Sequence, residues 1–222
     1  MRTARMIRAF LLFFLLLGAD LLGASYSLET ISAPPDGVSD GIKAILQPQG
    51  YRVVNDQGAP WCEVWVRKEI TNLNKPGSPD AKYPALHIGE LVGVMKFNAT
   101  GSDYRGQPIK PGTYFMRYCL ILQDGNHLGV APILDFVLLT PTSQDDKEAD
   151  AAMNMMDVVV LSRKASGTNH PAVISMAASL SAAGEALLEK DDLDHWVLRV
   201  KTQSKPSADL QIGIVVVGKT EG

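Results

Sequence analysis

The sequence predicts a mainly β fold, an antiparallel β-sandwich of immunoglobulin-like or jelly-roll-like kind with one long inserted α-helix around 144–166. Three observations lead there. About seven short apolar runs recur between turn residues, the spacing of an all-β domain. The run from Thr113 to Leu122 alternates strictly, placing Tyr114, Met116, Tyr118, Leu120 and Leu122 on one face and Phe115, Arg117, Cys119 and Ile121 on the other. Only one stretch, beyond Pro141, shows long helical periodicity. Strands and helices do not alternate along the chain, which argues against a doubly wound parallel sheet.

Residues 1–25 have the composition of an export signal. Arg2, Arg5 and Arg8 precede an apolar run from Ala9 to Leu17, and Gly23, Ala24 and Ser25 supply small residues for cleavage. Asp20 interrupts the run short of the ~20 apolar residues a spanning helix needs. The expectation is an exported, periplasmic or extracellular protein with no stable membrane insertion after signal cleavage. Residues 26–41 read as a linker, rich in Pro, Gly and Ser from Ser32 to Asp40. The remainder, 42–222, is expected to form a single domain.

Within that domain, Ile42, Ile45 and Leu46 indicate one short helix. Tyr51 to Asn55 and Trp61 to Ile70 are strands around the turn Asp56-Gln57-Gly58. A polar loop from Thr71 to Pro84 precedes a strand from His87 to Phe97. Pro111-Gly112 turns into the alternating central strand, and Asp124-Gly125 turns out of it towards a run from Ile133 to Leu139. Ser143 and Asp146 have capping spacing, and Ala149, Ala152, Met153, Met156, Val159 and Val160 follow at helical intervals. Gly167 is a natural stop. Ala172 to Met176, Trp196 to Thr202 and Leu210 to Val217 complete the strands.

Charge narrows the function classes. The net charge is −3, and cleavage after Ser25 removes three arginines and one aspartate to give −5. A chain of that balance lacks the basic face of a nucleic-acid-binding protein. No G-x-S-x-G, H-E-x-x-H, C-x-x-C or phosphate-loop pattern occurs. Asp124 and His127, with Asp135 at the next strand, form the most concentrated polar site, and His170 is a possible additional metal ligand. Carboxylate and imidazole together suit a divalent metal or acid–base chemistry, although Asp and Gly also simply close a turn. Met153, Met155 and Met156 suit a soft metal but read better as core filler.

Trp61 and Trp65 lie four residues apart on one strand, ~13 Å from each other, beside Glu63 and Arg67. The opposite face carries Cys62, Val64 and Val66 and is expected to be core. Trp61, Trp65 and Arg67 therefore offer a partly solvated platform for a glycan or a partner protein, unless a loop or the helix covers it. Cys62 and Cys119 fall on unlike faces, core against solvent, and are expected to remain free thiols.

The runs D-Y-R-G-Q-P-I-K-P-G-T-Y-F-M-R-Y and D-G-N-H-L-G-V-A-P-I-L-D-F-V-L-L, with W-C-E-V-W and I-G-I-V-V-V-G-K, resemble a group of uncharacterised exported bacterial proteins. The resemblance runs from about Val38 onward. It implies an exported β-sandwich-like domain and assigns no catalytic residue. Two functions follow from the sequence. One is a non-catalytic extracytoplasmic binding module for a protein or glycan, without cofactor. The other is a metal-binding protein or metal-dependent enzyme using Asp124, His127 and Asp135.

Overall fold

The computed structural model describes residues 24–71, 79–121, 131, 133–149, 151, 153–178, 184–205 and 208–220. The chain is mainly β. In order, the elements are β1 (Tyr26–Ile31), α1 (Asp40–Ile45), β2 (Gly50–Asn55), β3 (Pro60–Val66), β4 (Glu69–Thr71), β5 (Leu91–Phe97), β6 (Gly101–Ser102) and β7 (Pro108–Ile109). They continue with β8 (Gly112–Leu120), β9 (Asp135–Pro141), α2 (Met155–Ser166), β10 (Val173–Ala177), β11 (Ala186–Lys190), β12 (Trp196–Lys205) and β13 (Ala208–Val217).

Among the described residues, eleven strands form one sheet in the order β1-β2-β3-β5-β8-β9-β10-β13-β12-β11, with β4 paired to β12. The β4–β12 pairing is parallel and the others are antiparallel, so the sheet is mixed. It curls into a half-barrel. A purely antiparallel sandwich is thus not what the pairing gives. The reason lies at β10, whose Val173–Ser175 pair with β9 and whose Met176 and Ala177 pair with β13. That strand carries one sheet round the bend where a sandwich would have two. Alternation in sequence reports a buried face without saying whether a second sheet or the same sheet, twisted and curled, lies opposite it.

The concave side holds the main core. Val64 and Val66 of β3, Met95 of β5, Met116 and Tyr118 of β8, Val137 of β9, Leu198 of β12 and Ile212 and Ile214 of β13 are fully buried there. The predicted face of β8, Tyr114, Met116, Tyr118 and Leu120, points into this core as expected. The convex side is covered in patches. The segment around α1 packs Ile31, Val38, Ile42 and Ile45 onto Trp65, Leu91, Val94 and Phe115. Helix α2 lays Val158 and Val159 over Cys119, Phe136 and Leu138. Tyr104, beside the β6–β7 pair, covers Val197 and Val215.

Three expectations need correction. The predicted linker contains β1, which pairs with β2 from Tyr26↔Asn55 to Ile31↔Gly50. The helix begins at Met155, capped by the Asn154 side chain accepting from Asp157 N–H, rather than near Ser143. The preceding residues leave the helix because a buried arginine needs them. Arg117 is fully buried on the convex face of β8 and fills all five of its donor positions. Its Nε and Nη2 donate to Asp145 Oδ2 and Oδ1 at 2.8 and 2.9 Å, and its remaining hydrogens go to the carbonyls of Gly89, Lys147 and Glu148. Residues 145–148 form a strap around the guanidinium. The predicted apolar face is present in part: Met153 and Val159 pack inward as expected, Met156 and Val160 are exposed, and Val158, Ser162 and Ala165 are buried instead. Gly167 ends it in the left-handed region at φ 68°, as expected.

The third correction concerns Trp61. The β2–β3 register passes from Val53↔Cys62 to Val54↔Pro60, leaving Trp61 unpaired in a bulge. A bulge re-aims its side chain, so Trp61 and Trp65 no longer share a face. Trp61 packs on the concave core, and Trp65 joins the convex cluster under α1.

Candidate functional site at the seam of the sheet

Beginning and end of the sheet, β1 and β11, curl round towards each other and differ at their two ends. At one end aromatic rings close the gap. The Tyr26 ring centroid lies 5.8 Å from that of Trp196 and 6.3 Å from that of Trp61. Trp61 sits 6.4 Å from Phe97, and its Nε1 donates to the Val216 carbonyl at 2.7 Å, tying β3 to β13. These T-shaped contacts present ring edges to ring faces, the favoured electrostatic arrangement.

At the other end the seam opens into a groove of about 440 Å³. The α1–β2 connection supplies Gln47, Pro48 and Gln49, β2 supplies Tyr51, the bends before β4 and β11 supply Lys68 and Glu185, and β12 supplies Lys201, Thr202 and Gln203. Backbone bonds fix this frame: Lys201 N–H donates to the Glu185 carbonyl at 2.9 Å, and Gln47 N–H to that of Val66 at 2.9 Å. Gln47 Nε2 spans the seam to the Lys201 carbonyl at 2.8 Å, and Thr202 Oγ1 donates to the Arg67 carbonyl at 2.7 Å.

Hydrogen-bonding capacity is left over in this groove. Tyr51 is 3% exposed, yet its hydroxyl makes no hydrogen bond to a described residue. Burial, and next the Glu185 carboxylate, push its pKa up, so the phenol stays neutral and can both donate and accept. The side chains of Glu185 and Gln203 likewise have no partner among the described residues. The two cations are already engaged: Lys68 Nζ donates to the Ala44 carbonyl at 2.8 Å, and Lys201 pairs with Asp209 at 2.8 Å.

A second groove, of about 500 Å³, lies between α1 and the strap, over Val38, Ile42, Ile45 and Phe115. Its floor is apolar, Asp145 is held by Arg117, and Asp146 pairs with Lys147.

The side chains singled out in the sequence go elsewhere. Trp65 is 2% exposed, with Nε1 donating to the Ala33 carbonyl at 3.0 Å, so the segment read as a linker covers the expected platform. Arg67 is buried beside Glu90, with Nη1 to Oε1 at 3.4 Å, while His87 Nδ1 lies 2.9 Å from Glu90 Oε2. Asp135 is fully buried, and its oxygens accept from Tyr118 OH at 2.7 Å, Tyr83 N–H at 3.0 Å and Lys82 N–H at 2.9 Å. It is a structural carboxylate, anchoring the loop at Tyr83 to β8 and β9. Tyr83 OH carries the network on, donating to the Ala177 carbonyl at 2.6 Å and accepting from Gly213 N–H at 2.8 Å. His170 is exposed beyond α2. Asp124 and His127 lie outside the described residues. Among the described residues no group of three or more His, Cys, Asp or Glu is placed to hold a metal.

Two features were missed in the sequence. Gln47, Tyr51, Glu185 and Gln203 are scattered over the chain, and no spacing signals that they meet. His195 is 4% exposed and stands between Asp191 Oδ2, 3.1 Å from Nδ1, and Tyr104 OH, 3.5 Å from Nε2. The same aspartate accepts from the Leu193 and His195 N–H groups, so this chain of groups organises the β11–β12 turn.

No protein-family model, curated protein or solved structure matches the chain. The site is therefore read from its own chemistry.

Proposed function

We propose that the protein is an exported, non-catalytic binding module whose ligand site is the seam groove. Export rests on the arginine-flanked apolar run and small residues of 1–25. No helix among the described residues is long and apolar enough to cross a membrane. The observation that carries the reading is the contrast between engaged and free polar groups. Arg117, Asp145, Asp135, Arg67 and Glu90 are buried in bonds that hold the fold. The groove instead gathers Tyr51, Glu185 and Gln203, groups of both donor and acceptor type that lack partners among the described residues. A concave site of a few hundred Å³ has the size of a small-ligand site; its lining here is mostly polar.

The test combines elemental analysis of protein purified without chelator with thermal unfolding against glycan and divalent-metal panels. A ligand selective for the native state raises the unfolding temperature. The reading expects a ligand that raises it, is recovered chemically unchanged, and needs no metal. Stoichiometric metal lost on His127→Ala would replace it with the metal-site alternative built on Asp124, His127 and Asp135.

A further inference from the structure

We propose that the seam groove recognises a neutral oligosaccharide through its hydroxyl groups; this rests on the reading of the protein as a binding module. The inference comes from matching the groove's free hydrogen-bonding groups to a ligand. Glu185 offers only acceptors, Gln203 offers an acceptor and two donors, and the Tyr51 hydroxyl offers both. A ligand that satisfies such a set must itself donate and accept at neighbouring positions, which is what vicinal sugar hydroxyls do. An anionic ligand fits poorly. Sulfate and carboxylate groups only accept at neutral pH, and the Glu185 carboxylate, without a cation partner among the described residues, would repel them. Of the two lining cations, Lys201 is paired with Asp209 and Lys68 is held by the Ala44 carbonyl, so neither is aimed at a ligand anion.

The Tyr51 hydroxyl is the strongest pointer. Its side chain is largely buried, but the hydroxyl is not shut off from solvent and has no partner among the described residues. It opens into the groove, where a ligand hydroxyl takes the place of water. The volume, about 440 Å³, suits two or three sugar rings rather than a folded partner. The Gln47 side chain, clamped across the seam to the Lys201 carbonyl, keeps the groove preformed.

The experiment is calorimetric titration of the mature protein with cello-, malto- and chito-oligosaccharides, and with oligogalacturonate as an anionic counterpart. It is run on wild type, Tyr51→Phe, Glu185→Ala and Gln203→Ala. Tyr51→Phe removes a hydroxyl with no partner among the described residues and should leave unfolding unchanged. Glu185→Ala and Gln203→Ala change exposed residues and keep the test open should Tyr51→Phe fail to fold. At least one neutral oligosaccharide should bind, with affinity falling about fivefold in Tyr51→Phe and tenfold or more in Glu185→Ala. Tighter binding of oligogalacturonate would overturn the inference, as would no binding by any of the sugars. Neutral-sugar binding untouched by any of the substitutions would also overturn the groove assignment, yet leave the binding-module reading standing.

Discussion

Arg117 and Asp145 show how one buried charge reshapes the chain around it. An unpaired guanidinium inside the fold is far more costly than a paired one, so the strap of 145–148 closes on it instead of extending α2. Asp145→Ala should cost about 3–5 kcal/mol, measured by urea unfolding, because it strands a fully buried cation. Burial alone would raise the Asp145 pKa, but hydrogen bonds from Arg117 and Thr140 outweigh it and hold the carboxyl below its ordinary value. Its stabilisation is therefore complete above the unfolded-state value of about 4 and is lost as pH falls through the depressed native value. Urea midpoints measured from pH 5 down to pH 2 should fall more steeply in wild type than in Asp145→Asn. The cysteines are governed by burial too. Both are free and buried; desolvation, followed by Glu63, pushes the Cys62 thiol far up, and desolvation pushes Cys119 up to about 12. A thiol reagent should find two cysteines in unfolded, unreduced protein and none reacting rapidly in the native state. The free-thiol expectation holds, though the face reasoning behind it was incomplete, since α2 buries the outer side of β8 that carries Cys119.

Elements whose own residues decide their state were legible, and those decided by distant partners were not. The alternating core strand β8, the turn at Gly58 and the glycine stop of α2 follow from local chemistry, and all are present. Strand β11, Ala186–Lys190, is built from Ala, Leu, Glu and Lys, residues of good helix propensity, and becomes a strand because β12 pairs along its length. Strand β1 lay in a stretch judged by its neighbouring prolines. The Trp61 bulge was invisible because nothing in W-C-E-V-W marks an extra residue, and the cover over Trp65 comes from the distant segment at Ala33. The groove residues, drawn from the α1–β2 connection, β2, the residues just before β4 and β11, and β12, meet only after the sheet has curled. Trp65 meanwhile fixes a neighbouring choice. A Cβ on Gly50 would lie 2.3 Å from Trp65 Nε1, so Gly50→Ala must displace the indole or the start of β2. The expected loss is about 1–3 kcal/mol by chemical denaturation, the range of core overpacking.

At the scale of the molecule, one curled sheet creates both the core and the groove. Buried side chains from β3 to β13 line the concave side, and at one end Tyr26 of β1 meets Trp196 of β12. Leu120 belongs to that shared core, so Leu120→Ala should cost ~2–5 kcal/mol in global unfolding while leaving the lining of the groove intact. Binding measured well below the variant's unfolding temperature should then match wild type. The most direct test of the binding reading is residue-resolved: amide chemical shifts of the labelled mature protein, titrated with a neutral oligosaccharide that binds calorimetrically. The seam groove predicts perturbations concentrated at Gln47 to Tyr51, Lys68, Glu185 and Lys201 to Gln203. Perturbations centred instead on Asp124 to His127, or on the aromatic end around Trp61 and Trp196, with the groove unchanged, would contradict it.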